Sequence, residues 1–329
     1  MSNVKQFYNK YTYPFSEIKN DNSINGDGLF LFLDYEANLN GFEGMSFLDA
    51  GCGTGQRVID IAKSYEKANF IGIDFAESSI KLANEQLLHD KINNIKFECG
   101  DICEYTTQKR FDIVTSYGVL HHMDNPKKAV RNLTTLLKED GLFVAWLYHS
   151  FGEFDRMLQR DMLRTLLGDK KDDYQLAVNL MNEMQYDLSQ NRYGNVYGSK
   201  LNKQDKICKN ADAYIHPLVS PYTFKEAIEL FKNCGMDWCA IDQINCEEKG
   251  YFICLDQDES IEWVLDVGKH FNNPNAYKYY LELDKMDKLH IIELLTKPTG
   301  FTIFAGKDSS INKISERTKK NIIFLKDIK

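Results

Sequence analysis

The sequence contains no apolar run approaching the ~20 residues that a bilayer-spanning helix needs. Its opening stretch, MSNVKQFYNKYTYPF, has neither an apolar core nor a small-residue cleavage pattern. That argues against a signal peptide, and the expectation is a cytoplasmic protein with no membrane insertion. Paired metal-ligand spacing is also missing. The eight cysteines include Cys99 and Cys103, Cys234 and Cys239, and Cys246 and Cys254, yet none of these pairs has the two-residue gap of a zinc knuckle, and no His cluster accompanies them. Reduced, buried thiols and no metal are expected. Positive charge is in deficit: 40 Lys and Arg stand against 48 Asp and Glu, a net charge of -8. Such a chain has no general attraction to nucleic acid or an anionic membrane.

The rest of the composition, 43% hydrophobic and 27% charged over 329 residues, is that of an ordinary globular protein with room for one large domain with insertions or two modest ones. Residues 45–149 alternate between short apolar runs and amphipathic stretches. MSFLDAG, ANFIGID, NIKFECGD, FDIVTSYGVL and GLFVAWLYH read as strands. QRVIDIAKSY, SSIKLANEQLLHD and NPKKAVRNLTTLLKEDG read as helices, the last starting at a proline and stopping at Gly141. Near-continuous apolar strands alternating with helices imply a parallel sheet covered on both faces, with a ligand at the carboxyl ends of the strands.

The texture changes after His149. Residues 150–220 show amphipathic helices over DRMLQRDMLRTLLG and YQLAVNLMNEMQYDL, then a polar stretch, and are expected to form a helical insert or cap. SPYTFKEAIELFKNCG resumes the core as a helix capped by Thr223, and WCAIDQI is a sixth strand. Either GYFICLD (250–256) or GFTIFAGK (300–307) supplies the last strand; the second is favoured, which makes 256–298 a helical excursion. The basic segment 308–329 is expected to be a mobile or docking tail, and residues 1–44 a lid.

The stretch FLDAGCGTGQ carries the sharpest signal. Glycine permits close approach of backbone and ligand because it has no Cβ. Gly51, Gly53 and Gly55 are spaced G-x-G-x-G, and Gln56 stands where a dinucleotide-binding loop would have its third glycine, so the pyrophosphate fingerprint fails. With Asp49 ahead of the glycines, the chain resembles the class I S-adenosylmethionine-dependent methyltransferases. The resemblance implies a Rossmann-like α/β fold with a seven-stranded, mostly parallel sheet, and S-adenosylmethionine as cofactor. It implies that Asp49 reaches the methionine amino group, directly or through water. It implies too that Asp74, beside Phe75 in FIGIDFA, accepts from the ribose hydroxyls, and that Asp101 and Ile102 in ECGDI meet the adenine. Ser116, Tyr117 and Gly118 would line the pocket opposite the glycine loop. A carboxylate suits two vicinal hydroxyls because it offers two acceptor oxygens and no donor. Each acid alone is commonly a cap or a solvated loop residue; their order and spacing make the signal.

The acceptor is less legible, since in-line methyl transfer demands alignment and water exclusion more than a fixed motif. SYGVLHHM occupies the place of the Asn/Asp-Pro-Pro-Tyr motif of amide and base N-methyltransferases, and resembles instead enzymes acting on small molecules, lipids or quinones. His121 is a candidate general base and alternatively a residue packing its loop. Tyr11 or Tyr13 in FYNKYTYPF is a candidate to face the sulfonium, or part of a helix packed on the core through Phe7 and Tyr11. His216, before Pro217 in DAYIHPLVSPYTF, is a candidate for the acceptor pocket with Tyr214 and Tyr222, as are Tyr148 and His149. The leading expectation is methyl transfer to an oxygen or nitrogen of a small or medium-sized acceptor. A protein or RNA acceptor, and a cofactor-binding sensor without catalysis, are the alternatives.

Overall fold

In the computed structural model, residues 3–14, 42–183, 202–246, 249–256 and 263–328 are described. The parts of the expected lid over 15–41 and of the expected insert over 184–201 lie outside the described residues.

A central sheet organises the chain. Strands β1 (Ser46–Ala50), β2 (Asn69–Asp74), β3 (Ile95–Cys99), β4 (Phe111–Tyr117) and β5 (Leu137–Tyr148) run parallel in the order β3-β2-β1-β4-β5. Beyond β5 come β8 (Gly300–Gly306), antiparallel to it, then β6 (Trp238–Cys246) and the edge strand β7 (Lys249–Phe252). A two-residue strand, β9 (Ile323–Phe324), pairs with the start of β6. Both apolar runs that competed for the last strand are therefore in the sheet: 300–306 lies inside it and 249–252 at its edge. Among the described residues the sheet has nine strands rather than seven, because β7 and β9 extend the expected set.

Side chains alternate between the faces of each strand, and both faces are dry at the central strands β1 and β4. Phe47, Phe70, Ile113 and Val144 pack beneath α2 (Gln56–Ser64) and α3 (Glu77–Asp90). Leu48, Ile71, Val114 and Phe143 pack with α4 (Pro126–Thr135) and α8 (Phe224–Phe231) on the other face. Thr223 caps α8 in a reciprocal arrangement with Glu226, as its sequence predicts.

Two readings of the chain change. The helix expected to run to Gly141 ends at Thr135, and β5 begins at Leu137, paired with Phe111. Thr134 and Thr135 turn their hydroxyls onto the Arg131 and Asn132 carbonyls, bonds that compete with continuation of the helix, while Leu136 and Leu137 are drawn into the core. Secondly, the end of the polar stretch before residue 216 is a helix, α7 (Lys203–Ile215), capped by the Asn202 side chain on the Asp205 amide at 2.7 Å. Cys208, Ala211 and Ile215 give it a narrow apolar face.

That face joins a satellite core with α1 (Asn3–Lys10), α5 (Phe154–Leu167) and α6 (Tyr174–Glu183), through Phe7, Tyr11, Leu163 and Ala177. From α5, the guanidiniums of Arg156, Arg160 and Arg164, spaced one turn apart, reach the carbonyls of Ala213, His216 and Ile215 at the end of α7. Cations there meet the negative end of the helix dipole and satisfy its last carbonyls. In the excursion after β7, α9 (Pro274–Glu282) and α10 (Lys285–Thr296) lead back to β8.

The basic C-terminal segment is folded onto the sheet. Around α11 (Glu316–Lys320), Thr318 Oγ1 and Asn321 Nδ2 donate to the buried Asp242 carboxylate of β6 at 2.7 and 2.8 Å, and Arg317 lies 3.3 Å from it. Among the described residues no helix is long and apolar enough to cross a membrane, and no group of His, Cys, Asp or Glu is placed to hold a metal ion.

Candidate functional site

The strand order reverses direction between β1 and β4, and a cavity of about 400 Å³ opens there at the carboxyl ends of the strands. Its floor is the loop from β1 to α2. Gly51, Gly53 and Gly55 all have positive φ, at 85°, 56° and 75°. The strictest case is Gly53, where a Cβ would collide with the Tyr13 carbonyl of the N-terminal segment.

The amides of this loop are all engaged within the protein. Gly51 and Cys52 donate to the Ile73 carbonyl at 2.8 and 3.0 Å, Thr54 to the Tyr13 carbonyl at 3.0 Å, and Gly55 to the Cys52 carbonyl at 3.0 Å. Gly53 donates to Asp74 Oδ2 at 3.0 Å. A phosphate-cradling loop aims such amides at its ligand; this one does not.

Asp74, at the end of β2, also accepts from the Ala76 amide at 2.8 Å. Burial pushes its carboxyl up to about 6, against the pull of these amides. Asp49 is buried beneath the loop, accepts from Thr115 Oγ1 at 2.9 Å, and has a carboxyl raised by burial and pulled back by Arg57. Asp101 lies at the opposite end of the cavity, one oxygen taken by the Cys103 amide at 2.8 Å, with the buried Ile102 beside it. Phe75, Tyr117 and Gly118 line the wall. Ser116 is placed differently: it is fully buried and its hydroxyl donates to the Ala50 carbonyl at 3.2 Å, tying β4 to β1 from behind the wall.

Residues 42–197 match a family model described as a methyltransferase domain. That region is similar to the class I S-adenosylmethionine-dependent methyltransferases. An uncharacterised protein of Synechococcus sp. is 23% identical over 270 residues, covering 79% of this chain and 60% of that protein. The malonyl-[acyl-carrier protein] O-methyltransferase of Bacillus cereus is 30% identical over 115 residues, 34% of this chain and 42% of that one. The chain thus spans less than two thirds of these relatives. The fold resembles that of PKMT2 from Rickettsia typhi in complex with AdoHcy, with a TM-score of 0.62 at 16% identity over 90% of this chain and 55% of that one.

The cavity suits S-adenosylmethionine: Asp74 and Asp101 line a largely apolar space, Asp49 lies buried beneath its floor, and the Gly51–Gly55 amides of that floor are not free for a pyrophosphate.

The candidate catalytic residues are less directly placed. Tyr11 and His216 pack with Phe7 in the satellite core, and none of Tyr11, His121 and His216 lines the cavity. His149 lies behind β5, donating Nε2–H to Glu293 at 2.9 Å, and Tyr148 stacks on His121 at 3.9 Å between ring centroids. The wall carries Tyr8, Tyr13 and His122.

The backbone decides the tautomer of each imidazole in this cluster. His121 Nδ1 accepts from the Tyr148 amide at 3.2 Å and His216 Nδ1 from the Leu218 amide at 3.0 Å, so both lone pairs are spent. His122 is reversed. Its Nδ1 faces the Leu218 carbonyl at 2.9 Å, which only accepts, so Nδ1 carries the proton and Nε2 keeps its lone pair. That Nε2 stands 4.0 Å from Asp212 Oδ1, which accepts from Tyr8 Oη at 2.8 Å. Burial lowers the His122 pKa, aided by Arg156 and Arg160 and opposed by Asp212. Burial and Asp212 hold the Tyr8 phenol well above its usual range, so it remains a donor. His122, Tyr8 and Asp212 stood inside the motifs HHM, FYNKYTYPF and DAYIHP, but no periodicity distinguishes them from their neighbours. Arg57 on the cavity wall had no sequence signal at all.

Proposed function

We propose that this protein transfers a methyl group from S-adenosylmethionine to an oxygen or nitrogen of a small or medium-sized acceptor, with His122 taking the acceptor's proton. The observation that carries the assignment of the base is the His122 tautomer: among the three clustered imidazoles it alone keeps a lone pair unspent and lines the cavity. When bound, the cofactor supplies an electrophilic methyl on a sulfonium. In this reading Asp74 accepts from the ribose hydroxyls, Asp101 and Ile102 hold the adenine, and Asp49 meets the amino group. Proton transfer to His122 Nε2 creates an imidazolium 4.0 Å from the Asp212 carboxylate, which stabilises it, while the Tyr8 hydroxyl holds that carboxylate in place.

Enclosure of the acceptor is supported by the docking of α1. Besides Tyr8 to Asp212, Lys5 pairs with Glu77 at 2.9 Å and Asn9 accepts from the Ser78 hydroxyl at 3.1 Å, which sets α1 across the start of α3. A covered site excludes water, which suits methyl transfer to a metabolite. The Bacillus relative is named for transfer to an oxygen, in keeping with this acceptor chemistry.

The test is incorporation of labelled methyl from S-adenosylmethionine into cell extract separated into metabolite, lipid, protein and RNA pools, with Asp74→Ala as control. Label in the metabolite or lipid pool above the control is expected. Label confined to protein or RNA would overturn the acceptor class. No label, with AdoHcy still bound, would leave a cofactor-binding sensor.

A further inference from the structure

S-adenosylmethionine ends in a zwitterion, an ammonium beside a carboxylate. The reading above gives the ammonium to Asp49 and leaves the carboxylate without a partner. Anion recognition near a glycine loop ordinarily falls to its amides, but here every amide from Gly51 to Gly55 already donates to a protein oxygen. With those five amides taken, a side chain is the candidate partner for the carboxylate.

Among the described residues, two cations line the cavity, Arg57 and Lys128. Lys128 is committed to Glu104 at 2.9 Å and stands next to Asp101 and Cys103, at the adenine end. Arg57 is the second residue of α2, directly beyond the glycine loop. Its guanidinium lies flat on the Tyr117 ring, 3.9 Å from the centroid, and Tyr117 is stacked in turn on Trp146 with centroids 5.2 Å apart. Trp146 is anchored by its indole N–H on Asn245 Oδ1 at 2.9 Å. The stack fixes the plane of the guanidinium but consumes none of its five N–H donors. Asp49 attracts it electrostatically without forming an ion pair with it.

We propose that Arg57 binds the carboxylate of the methionine moiety, so that Asp49 and Arg57 together recognise the amino-acid zwitterion as an opposed pair of charges. This rests on the cofactor assignment made above. A planar guanidinium held on an aromatic ring suits a carboxylate bidentately, and neutralising both ends of the zwitterion lets it enter an apolar cavity.

The experiment is isothermal titration of the full chain and its Arg57→Met variant with two ligands, S-adenosylhomocysteine and 5′-methylthioadenosine. The second keeps the adenosine and sulfur but lacks the amino-acid end. Methionine retains an apolar contact with Tyr117. The expected result is a loss of about 10- to 100-fold for S-adenosylhomocysteine in the variant, with methylthioadenosine within about twofold of the unmodified protein. Arg57→Lys, which keeps the charge but not the fork, should lie between the two. Unchanged S-adenosylhomocysteine affinity would overturn the proposal. An equal loss for both ligands would also overturn it, by making Arg57 a structural residue. Failure of the unmodified protein to bind either ligand would instead overturn the cofactor assignment, and the proposal with it.

Discussion

At the residue scale, two adjacent histidines illustrate how a single hydrogen bond separates structure from chemistry. His121 and His122 are both buried, and both have pKa values lowered by burial. His121 uses its lone pair on the Tyr148 amide; His122 uses its N–H on the Leu218 carbonyl. Replacing His122 with Asn should lower kcat by about 10²- to 10⁴-fold while leaving S-adenosylhomocysteine affinity within about twofold, as steady-state kinetics and titration would measure. Retained turnover would remove the base from His122. The same scale governs Asp74. Its carboxylate is ionised above about 6 and accepts best in that form. Cofactor affinity should therefore be full near pH 7.5 and weaken as the pH falls through about 6. Asp74→Asn should bind more weakly throughout and lose that pH dependence. A parallel pH profile in the Asn variant would assign the titration elsewhere.

Secondary-structure elements supply the fields in which these residues act. The arginine ladder on α5 both caps α7 and places positive charge beside the imidazole cluster, where Arg156 and Arg160 disfavour the charged form of His122 while Asp212 favours it. Arg160→Met removes one of the opposing cations. The acid limb of the kcat profile, expected below the ordinary histidine value of about 6.5, should move to higher pH in that variant. A limb that stays in place while thermal stability falls would make Arg160 purely structural. The ladder was present in DRMLQRDMLR as spacing, but nothing there named its targets. Those are carbonyls some fifty positions later in the chain, on a helix whose apolar face is narrow and interrupted by Lys and Asp.

The whole molecule is closed by its C-terminal segment. Asp242 has no solvent, and its acceptors are matched by Arg317, Thr318 and Asn321 from the last turn before β9. Asn321 also donates to the Ile253 carbonyl at 2.6 Å and accepts from the Leu255 amide at 3.1 Å, joining the strand edge to the tail. Burial pushes the Asp242 carboxyl up to about 8. Arg317→Met should therefore destabilise the fold most above that pH, where the carboxylate is ionised. The expected cost in urea denaturation is smaller at neutral pH and about 3–5 kcal/mol in that alkaline range. A change below about 1 kcal/mol would show that the segment is an accessory rather than part of the core.

What the sequence determined alone is the part whose signals are local. Strand–helix alternation over 45–149, the Thr223 cap and the close approach at the glycine loop depend on periodicity and backbone sterics within a few residues, and these survive into the structure. The acids at the ends of β1 and β2 were legible for the same reason, since strand ends are readable and the cavity opens there. Tertiary structure decided everything that depends on pairing across the chain. It ended α4 early by drawing Leu136 and Leu137 inward, and it made α7 from a polar stretch by giving its last carbonyls three arginines. It folded a basic tail onto a buried acid. It also turned Ser116 away from the cavity, and set Arg57, Tyr8 and His122 on its wall. Hydrogen-bond direction and burial are properties of neighbours, and for these residues the neighbours are tens to hundreds of positions away.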